Sequence, residues 1–164
     1  MRKRTVRINP ADRLESITEE LPFIDEHSIE VDADPETVWQ ALTESFGDAG
    51  GGLFAAYARV IGADPVTSSG DLNQVGSTRV GFRVAESESP VRLELTGKHR
   101  FSNYSLTWTI DEAPNGNSRL AATTRARFPG IHGRAYKAVV IDSSAHARIT
   151  RRMLEAVGRR ATRP

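Results

Sequence analysis

The chain has 164 residues, of which 38% are hydrophobic and 26% charged, a balance typical of one soluble globular domain. It contains no cysteine, which excludes disulfides, thiol catalysis and cysteine-bound metals. The net charge is +1, no apolar run approaches the ~18–20 residues of a membrane span, and the basic N-terminus lacks a signal-peptide core, so we expect a cytoplasmic protein without stable membrane insertion.

The charges are unevenly distributed along the chain. Residues 10–50 contain twelve acidic residues and one basic residue, whereas residues 131–164 contain eight basic and two acidic residues. These are expected to be mainly solvated faces, but a basic C-terminal helix that docks an acidic partner remains an alternative. Aromatic residues do not alternate with the basic ones as they do in single-strand binding platforms, so no nucleic-acid partner is expected.

In chain order, residues 1–22 are predicted to be an N-terminal tail, and residues 23–161 a single domain. A strand is predicted over 23–31. Asp34 then has the side chain of a helix N-cap, and Pro35 suits the first helical position. After the glycine-rich segment 47–52, residues 53–61 are predicted to form a second, shorter helix.

Strict alternation of apolar and polar residues follows and predicts an antiparallel sheet. The predicted strands lie near 79–84, 91–96, 104–110 and 120–128, with a weaker one at 64–71. Turns are expected at Ser87–Pro90, near Ser102, and at Pro114–Asn117, where Asn-Gly favours a hairpin.

The remainder, to about Arg160, is predicted to be one long helix with an interruption near 142–144. Its inner stripe becomes small and polar in the middle, at Ser143, Ala147 and Thr150. Small residues there would leave room for a ligand between helix and sheet, or would allow close helix–sheet packing, and the pattern does not separate the two.

The run Ile29-Glu30-Val31-Asp32-Ala33-Asp34-Pro35-Glu36-Thr37-Val38-Trp39, together with the C-terminal Arg151-Arg152-Met153-Leu154 helix, resembles the START-like (SRPBCC) superfamily of polyketide cyclases, dehydrases and lipid-transport proteins. The resemblance covers about Phe23 to Arg160. It implies an α+β helix-grip fold: a curved antiparallel β-sheet wrapped around a long C-terminal α-helix, with two short helices after the first strand. It also implies an internal pocket, but not which activity the pocket supports.

Strand parity predicts which side chains face the helix. A bulge at Gly97 would reverse this parity near 96–104. The predicted ligand-binding residues are Phe82, Leu93, Leu95, His99, Phe101, Tyr104, Leu106, Trp108, Thr124, Tyr136, Val140, Ser143, Ala147 and Thr150. Leu120 and Phe128 share the same face.

The favoured function is binding of a hydrophobic or amphipathic small molecule, lipid-like or polyketide-like, with His99 and Tyr104 fixing its orientation. The alternative is a cyclase/dehydrase-type enzyme, for which His99, Tyr104 and His146 are the candidate catalytic residues, since imidazole can move protons near neutral pH. No cofactor is expected. No metal is expected either, because the four histidines are far apart in sequence. Whether the chain forms a homodimer is left open.

Overall fold

The structure is a computed structural model that describes residues 21–48, 60, 62–142 and 144–163. The predicted second helix at 53–61 therefore lies outside the described residues, apart from Val60, and so does nearly all of the predicted tail. Ser143 also lies outside them. The domain boundaries proposed from the sequence stay a prediction.

The first strand and helix form as the sequence predicts. Strand β1 covers Phe23–Val31 and helix α1 covers Pro35–Asp48. The Asp34 carboxylate accepts hydrogen bonds from the Thr37 backbone N–H (3.0 Å) and from Thr37 Oγ1 (2.7 Å), and these bonds lower the pKa of Asp34. Asp34 is thus the N-cap that its position indicated.

Within the described residues the strands form one antiparallel sheet of six, in the order β1-β6-β5-β4-β3-β2. The remaining strands are β2 (Thr78–Arg79), β3 (Phe82–Glu88), β4 (Arg92–His99), β5 (Ser102–Glu112) and β6 (Ser118–Arg127). The register of β4 against β5 is continuous and pairs Gly97 with Tyr104. Gly97 therefore holds no bulge, and the predicted parity of β4 and β5 is confirmed. The sheet is irregular instead between Val84 and Glu86, and between Phe23 and Asp25.

Three details of the strand prediction were wrong. The single strand predicted at 79–84 is a tight hairpin, because Val80 and Gly81 turn the chain between β2 and β3, and Gly81 takes a φ of +81°. Strand β3 runs on to Glu88, where a turn had been expected from Ser87. Residues 64–71 form no strand but only isolated bridges, Asp64 with Lys98 and Ser69 with Thr78.

The C-terminal helix is interrupted where the sequence predicts it. Helix α2 covers Gly130–Lys137, a π-helical turn covers Ala138–Asp142, and helix α3 covers Ala145–Ala161. Helix α3 lies close against β1, since a Cβ on Gly158 would stand 3.0 Å from Ile29 Cδ1. The helix-grip architecture is therefore confirmed.

The core lies between the inner face of the sheet and helices α1 and α3. Large apolar side chains from all three are fully or nearly fully buried there, as their spacing predicts. The core comprises Val31, Val38, Trp39, Ala41, Leu42, Phe46, Leu72, Val84, Leu93, Leu95, Leu106, Trp108, Ile110, Leu120, Ala122, Leu154 and Val157.

Candidate functional site

The inner face of the sheet carries half-buried aromatic side chains at the end nearest the β4–β5 turn. This aromatic cluster consists of Phe82, His99, Phe101, Tyr104, Phe128 and Tyr136. The ring of Tyr136 is stacked on Phe101 (centroids 5.3 Å apart, interplanar angle 18°) and lies 4.9 Å from the ring of His99. Half-buried aromatic rings on a concave face offer the large apolar area that a ligand can bury.

Helix α2 reaches this cluster through a glycine. A Cβ on Gly133 would stand 2.8 Å from the Phe128 carbonyl carbon and 2.9 Å from the Phe101 carbonyl oxygen. Only glycine fits such a close approach, and it brings Tyr136, three residues on, against Phe101 and His99. The local sequence of α2 thus positions one side of the cluster.

The polar atoms of His99 and Tyr104 are already bound within the fold. The Tyr104 hydroxyl donates to the Gly81 carbonyl oxygen at 2.6 Å, and burial, followed by the charge of Asp64, raises the pKa of Tyr104. His99 Nδ1 accepts from the Phe101 backbone N–H at 3.1 Å, and Nε2 lies 3.0 Å from Ser102 Oγ. Burial lowers the pKa of His99. The orienting and catalytic roles proposed for both residues stay predictions, and their polar atoms would have to exchange these partners to perform them.

A second group of side chains lies on the same face, where helix α3 crosses β6 and β1. This polar cluster consists of Asp25, His27, Thr124 and His146. Asp25 Oδ2 lies 3.2 Å from His27 Nε2, and Asp25 Oδ1 lies 3.5 Å from His146 Nε2. His146 Nε2 also lies 3.0 Å from Thr124 Oγ1. A carboxylate held between two imidazoles is an arrangement that can hold or transfer a proton.

The electrostatics of the polar cluster favour a neutral imidazole at His146. Burial is the main influence on His146 and lowers its pKa, while the negative charge of Asp25 opposes that shift. The Arg151 guanidinium donates to His27 Nδ1 at 3.4 Å, which leaves the Nε2–H of His27 to donate to Asp25. His27 is thus committed through both nitrogens, whereas His146 makes its contacts through Nε2 only.

Three buried polar atoms of this face lack a hydrogen-bond partner within the described part of the chain: Asp25 Oδ1, Trp108 Nε1, and Ser87 Oγ, whose residue pairs with the inward-facing Leu93. The side chain of Asp25 as a whole is 23% exposed. His146 Nδ1 also has no partner there, but it is not among the buried atoms, and the side chain is 24% exposed. Buried groups without partners are uncommon and costly, so each needs an explanation.

Asp25 and His27 were not among the predicted site residues, although the sequence contained a pattern that could have identified them. They share the strand parity of Ile29 and Val31, which pair with inward-facing residues of β6. In the sequence, the acidic residues of β1 fit a solvated face, and His27 stands too far from the other histidines to indicate a metal site. Parity alone would have placed both on the inner face.

The other predicted ligand-binding residues fall into three environments. Leu93, Leu95, Leu106 and Trp108 belong to the buried core. Thr124 and Thr150 are buried, and Thr150 Oγ1 donates to the carbonyl oxygen of His146 at 3.2 Å. Ala147 is half-buried, while the side chain of Val140 and all of Ser143 lie outside the described residues. Their role in ligand binding stays a prediction.

The described residues contain neither a cluster of potential metal ligands nor a helix able to cross a membrane. No three His, Cys, Asp or Glu side chains there come together as a metal site would require. No helix in the described ranges combines the length and apolar character needed to cross a membrane.

Residues 25–161 match the family model described as polyketide cyclase / dehydrase and lipid transport. No curated protein matches the sequence. Among solved structures, a protein from Chromobacterium violaceum is similar with a TM-score of 0.55 and 13% identity, over 87% of this chain and 100% of that one.

Truncated norcoclaurine synthase from Thalictrum flavum gives a TM-score of 0.54 at 11% identity, covering 88% of this chain and 98% of that one. A protein of the dynemicin biosynthetic locus gives 0.50 at 15% identity, covering 82% of this chain and 45% of that one. At such identities the likeness shows the fold and not the activity.

Proposed function

The chain belongs to the polyketide cyclase/dehydrase and lipid transport family of the SRPBCC superfamily, and from that premise we propose that it binds a hydrophobic or amphipathic small molecule between the sheet and its C-terminal helices. The observation that carries the proposal is the aromatic cluster. Its half-buried rings lie on the inner face of the sheet. Some of the polar groups next to them lack a hydrogen-bond partner within the described residues. A ligand that covers these rings would gain roughly 25 cal/mol for each Å² of apolar surface removed from water.

The arrangement of polar atoms supports a site that binds an amphipathic ligand in one orientation. At the aromatic end, Tyr104 and His99 are bound to the chain itself. At the other end, Asp25 and His146 retain unused hydrogen-bonding capacity. An amphipathic ligand would therefore place its apolar body on the rings and its polar group towards β1.

Native mass spectrometry of the protein as purified tests this function directly, because a retained small molecule appears as added mass that disappears on denaturation. Titration with decan-1-ol by calorimetry provides a defined probe. Phe101→Leu removes one ring face but keeps an apolar side chain, and it should weaken decan-1-ol binding several-fold, on the order of 1 kcal/mol. The control Val91→Ala changes an exposed residue in the β3–β4 turn and should leave binding unchanged.

No retained molecule together with no binding of decan-1-ol would contradict the proposal. Equal weakening by Phe101→Leu and Val91→Ala would also contradict it, since the effect would then not depend on the aromatic cluster.

Proton-transfer catalysis is a second candidate, favoured by the pairing of His146 with Asp25. An imidazole oriented by a carboxylate, with its other nitrogen unpartnered, is placed as a general base. With a ketone ligand, the step would break an α C–H bond. The proton would go to His146 and the electron pair would delocalise towards the carbonyl oxygen. Return of the proton would complete an exchange that needs no co-reactant.

Deuterium exchange at the α-carbons of decan-2-one in D₂O, followed by NMR, checks this activity. The wild type should accelerate exchange above the buffer rate, and His146→Gln should abolish the acceleration while decan-2-one still binds. Exchange at the buffer rate in the wild type would leave binding as the function, and equal acceleration in both proteins would exclude His146 as the base.

A further inference from the structure

We propose that the polar cluster selects the polar end of the ligand, and that it takes an uncharged hydroxyl group, an alcohol or phenol, in preference to a carboxylate. The inference rests on the proposed function, because it describes the chemistry of a ligand bound on the same face. It assigns recognition to Asp25, which lies beside His146, and not to His99 and Tyr104.

The polar atoms along the inner face differ in whether they have partners. The Tyr104 hydroxyl and both His99 nitrogens have partners within 3.1 Å. In contrast, Asp25 Oδ1 is buried with no hydrogen bond in the described ranges, although His146 Nε2 lies 3.5 Å away. A ligand group that donated to this oxygen would remove the cost of leaving it unpaired.

The aromatic cluster and the polar cluster are connected along the inner face of the sheet. Tyr104 on β5 pairs with Ala126 on β6, and Thr124, the next inward residue of β6, pairs with Asp25 on β1. The residues between the aromatic rings and Asp25 are therefore small. Two strand spacings separate β5 from β1, roughly 10 Å. An apolar body of that length corresponds to a chain of about eight to ten carbons, at roughly 1.25 Å per bond.

The negative charge of the polar cluster also affects which ligand it can accept. Asp25 is the acidic member of the polar cluster, and its second oxygen already accepts from His27. A ligand carboxylate beside Asp25 Oδ1 would face a like charge at short range, while His146, held neutral by burial, would not offset it. The positive group nearest to the cluster, Arg151, is engaged with His27.

A hydroxyl can donate its proton to Asp25 Oδ1, which is buried and lacks a hydrogen bond within the described residues. A carboxylate has no proton to donate at neutral pH, so it satisfies neither the buried oxygen nor the charge. The chemistry of the cluster thus discriminates between two ligands of equal length.

Calorimetric titration with decan-1-ol and with decanoate near pH 8 tests the proposal, since a carboxylic acid is fully ionised there. The wild type should bind decan-1-ol about tenfold or more tightly than decanoate, the ratio expected from one unfavourable charge contact. Asp25→Asn, which keeps the shape but removes the charge, should weaken decan-1-ol binding and strengthen decanoate binding. His146→Gln should leave the preference for decan-1-ol over decanoate in place, because the charge of Asp25 remains.

Glu26→Gln is the matched control. Glu26 is the next residue on β1 but faces the opposite side of the sheet, where it contacts Arg119 and Thr123. It removes the same charge one position away and should leave the preference unchanged. Circular dichroism confirms that each variant is folded before titration.

The possible outcomes separate the two proposals. If both compounds bind wild type equally, or if Asp25→Asn does not alter their ratio, the selection of a hydroxyl is overturned while ligand binding stands. If neither compound binds, both proposals are overturned.

Discussion

At the scale of single residues, the availability of polar atoms decides which side chains can act on a ligand. Tyr104 and His99 have suitable chemistry and the expected inward placement, but their polar atoms bind the chain itself. Asp25 and His146 have the same inward placement and retain unpaired atoms. Residue type sets what a side chain can do, and its partners decide whether it is free to do so.

Burial of His99 and His146 makes the free energy of unfolding depend on pH. The pKa of each is lowered in the folded protein below the ordinary value of 6.5. The folded protein therefore favours the neutral imidazoles. Their contribution to the free energy of unfolding is fully present above pH 6.5, and it is lost as the pH falls from 6.5 through the lowered pKa values. Asp25 and His27, which face His146, modulate the size of the effect. The loss is at most about 1.4 kcal/mol per pH unit for each histidine.

Urea unfolding between pH 8 and pH 5 measures this dependence. His99→Asn and His146→Asn should each make the decline shallower, while the exposed His132→Asn should not. A decline equally steep in all three variants would contradict the assignment to His99 and His146.

At the scale of elements, the β2–β3 hairpin depends on a glycine in the neighbouring strand. A Cβ on Gly97 would collide with the Gly81 carbonyl oxygen and would stand 2.7 Å from the Tyr104 ring. The turn at Val80–Gly81 therefore packs over β4 only because Gly97 has no side chain. This close approach also places the Gly81 carbonyl where the Tyr104 hydroxyl can donate to it.

Gly97→Ala should lower the free energy of unfolding by about 2–3 kcal/mol, because the obstructing atoms are backbone and a half-buried ring that its hydroxyl hydrogen bond holds in place. Guanidinium unfolding is the measurement. Lys98→Ala, the next residue, removes only an exposed ion pair with Asp64 and should cost less than about 1 kcal/mol. Similar losses for both variants would show that Gly97 is not a packing position.

At the scale of the whole molecule, the separation of charge leaves two explanations for the basic C-terminal third. It is a solvated face, or it docks an acidic partner. Helix α3 uses Leu154 and Val157 to pack into the core. Arg148, Arg152 and Arg159 are exposed, whereas Arg151 contacts His27 on β1 and Arg160 lies 3.9 Å from Glu44 on α1. The two explanations differ in how binding responds to salt.

Raising NaCl from about 0.05 M to 0.5 M should leave decan-1-ol affinity nearly unchanged, because burial of apolar surface does not depend on screened charges. Poly-aspartate is the comparison ligand, and it should bind weakly or not at all at the higher salt concentration. Tight poly-aspartate binding at low salt, with no binding of decan-1-ol, would favour the interaction module over the ligand-binding protein.

Local features were predictable from the sequence because they depend on near neighbours. The Asp34–Pro35 helix start, the Asn115–Gly116 hairpin and the inward parity of β4 and β5 each involve residues a few positions apart. The hairpin at Val80–Gly81 was not predicted, because the alternation continues through 79–84. The residue that lets this turn pack against β4, Gly97, lies in another strand.

The sequence by itself therefore determined the family, the helix-grip fold and which side chains of β4 and β5 lie on the inner face of the sheet. Tertiary structure alone decided which polar groups on that face are available. That decision depends on contacts between distant residues, such as Arg151 with His27, 124 positions apart, and His146 with Thr124 and Asp25. Periodicity shows which way a side chain points, but only packing between elements shows which atoms it meets.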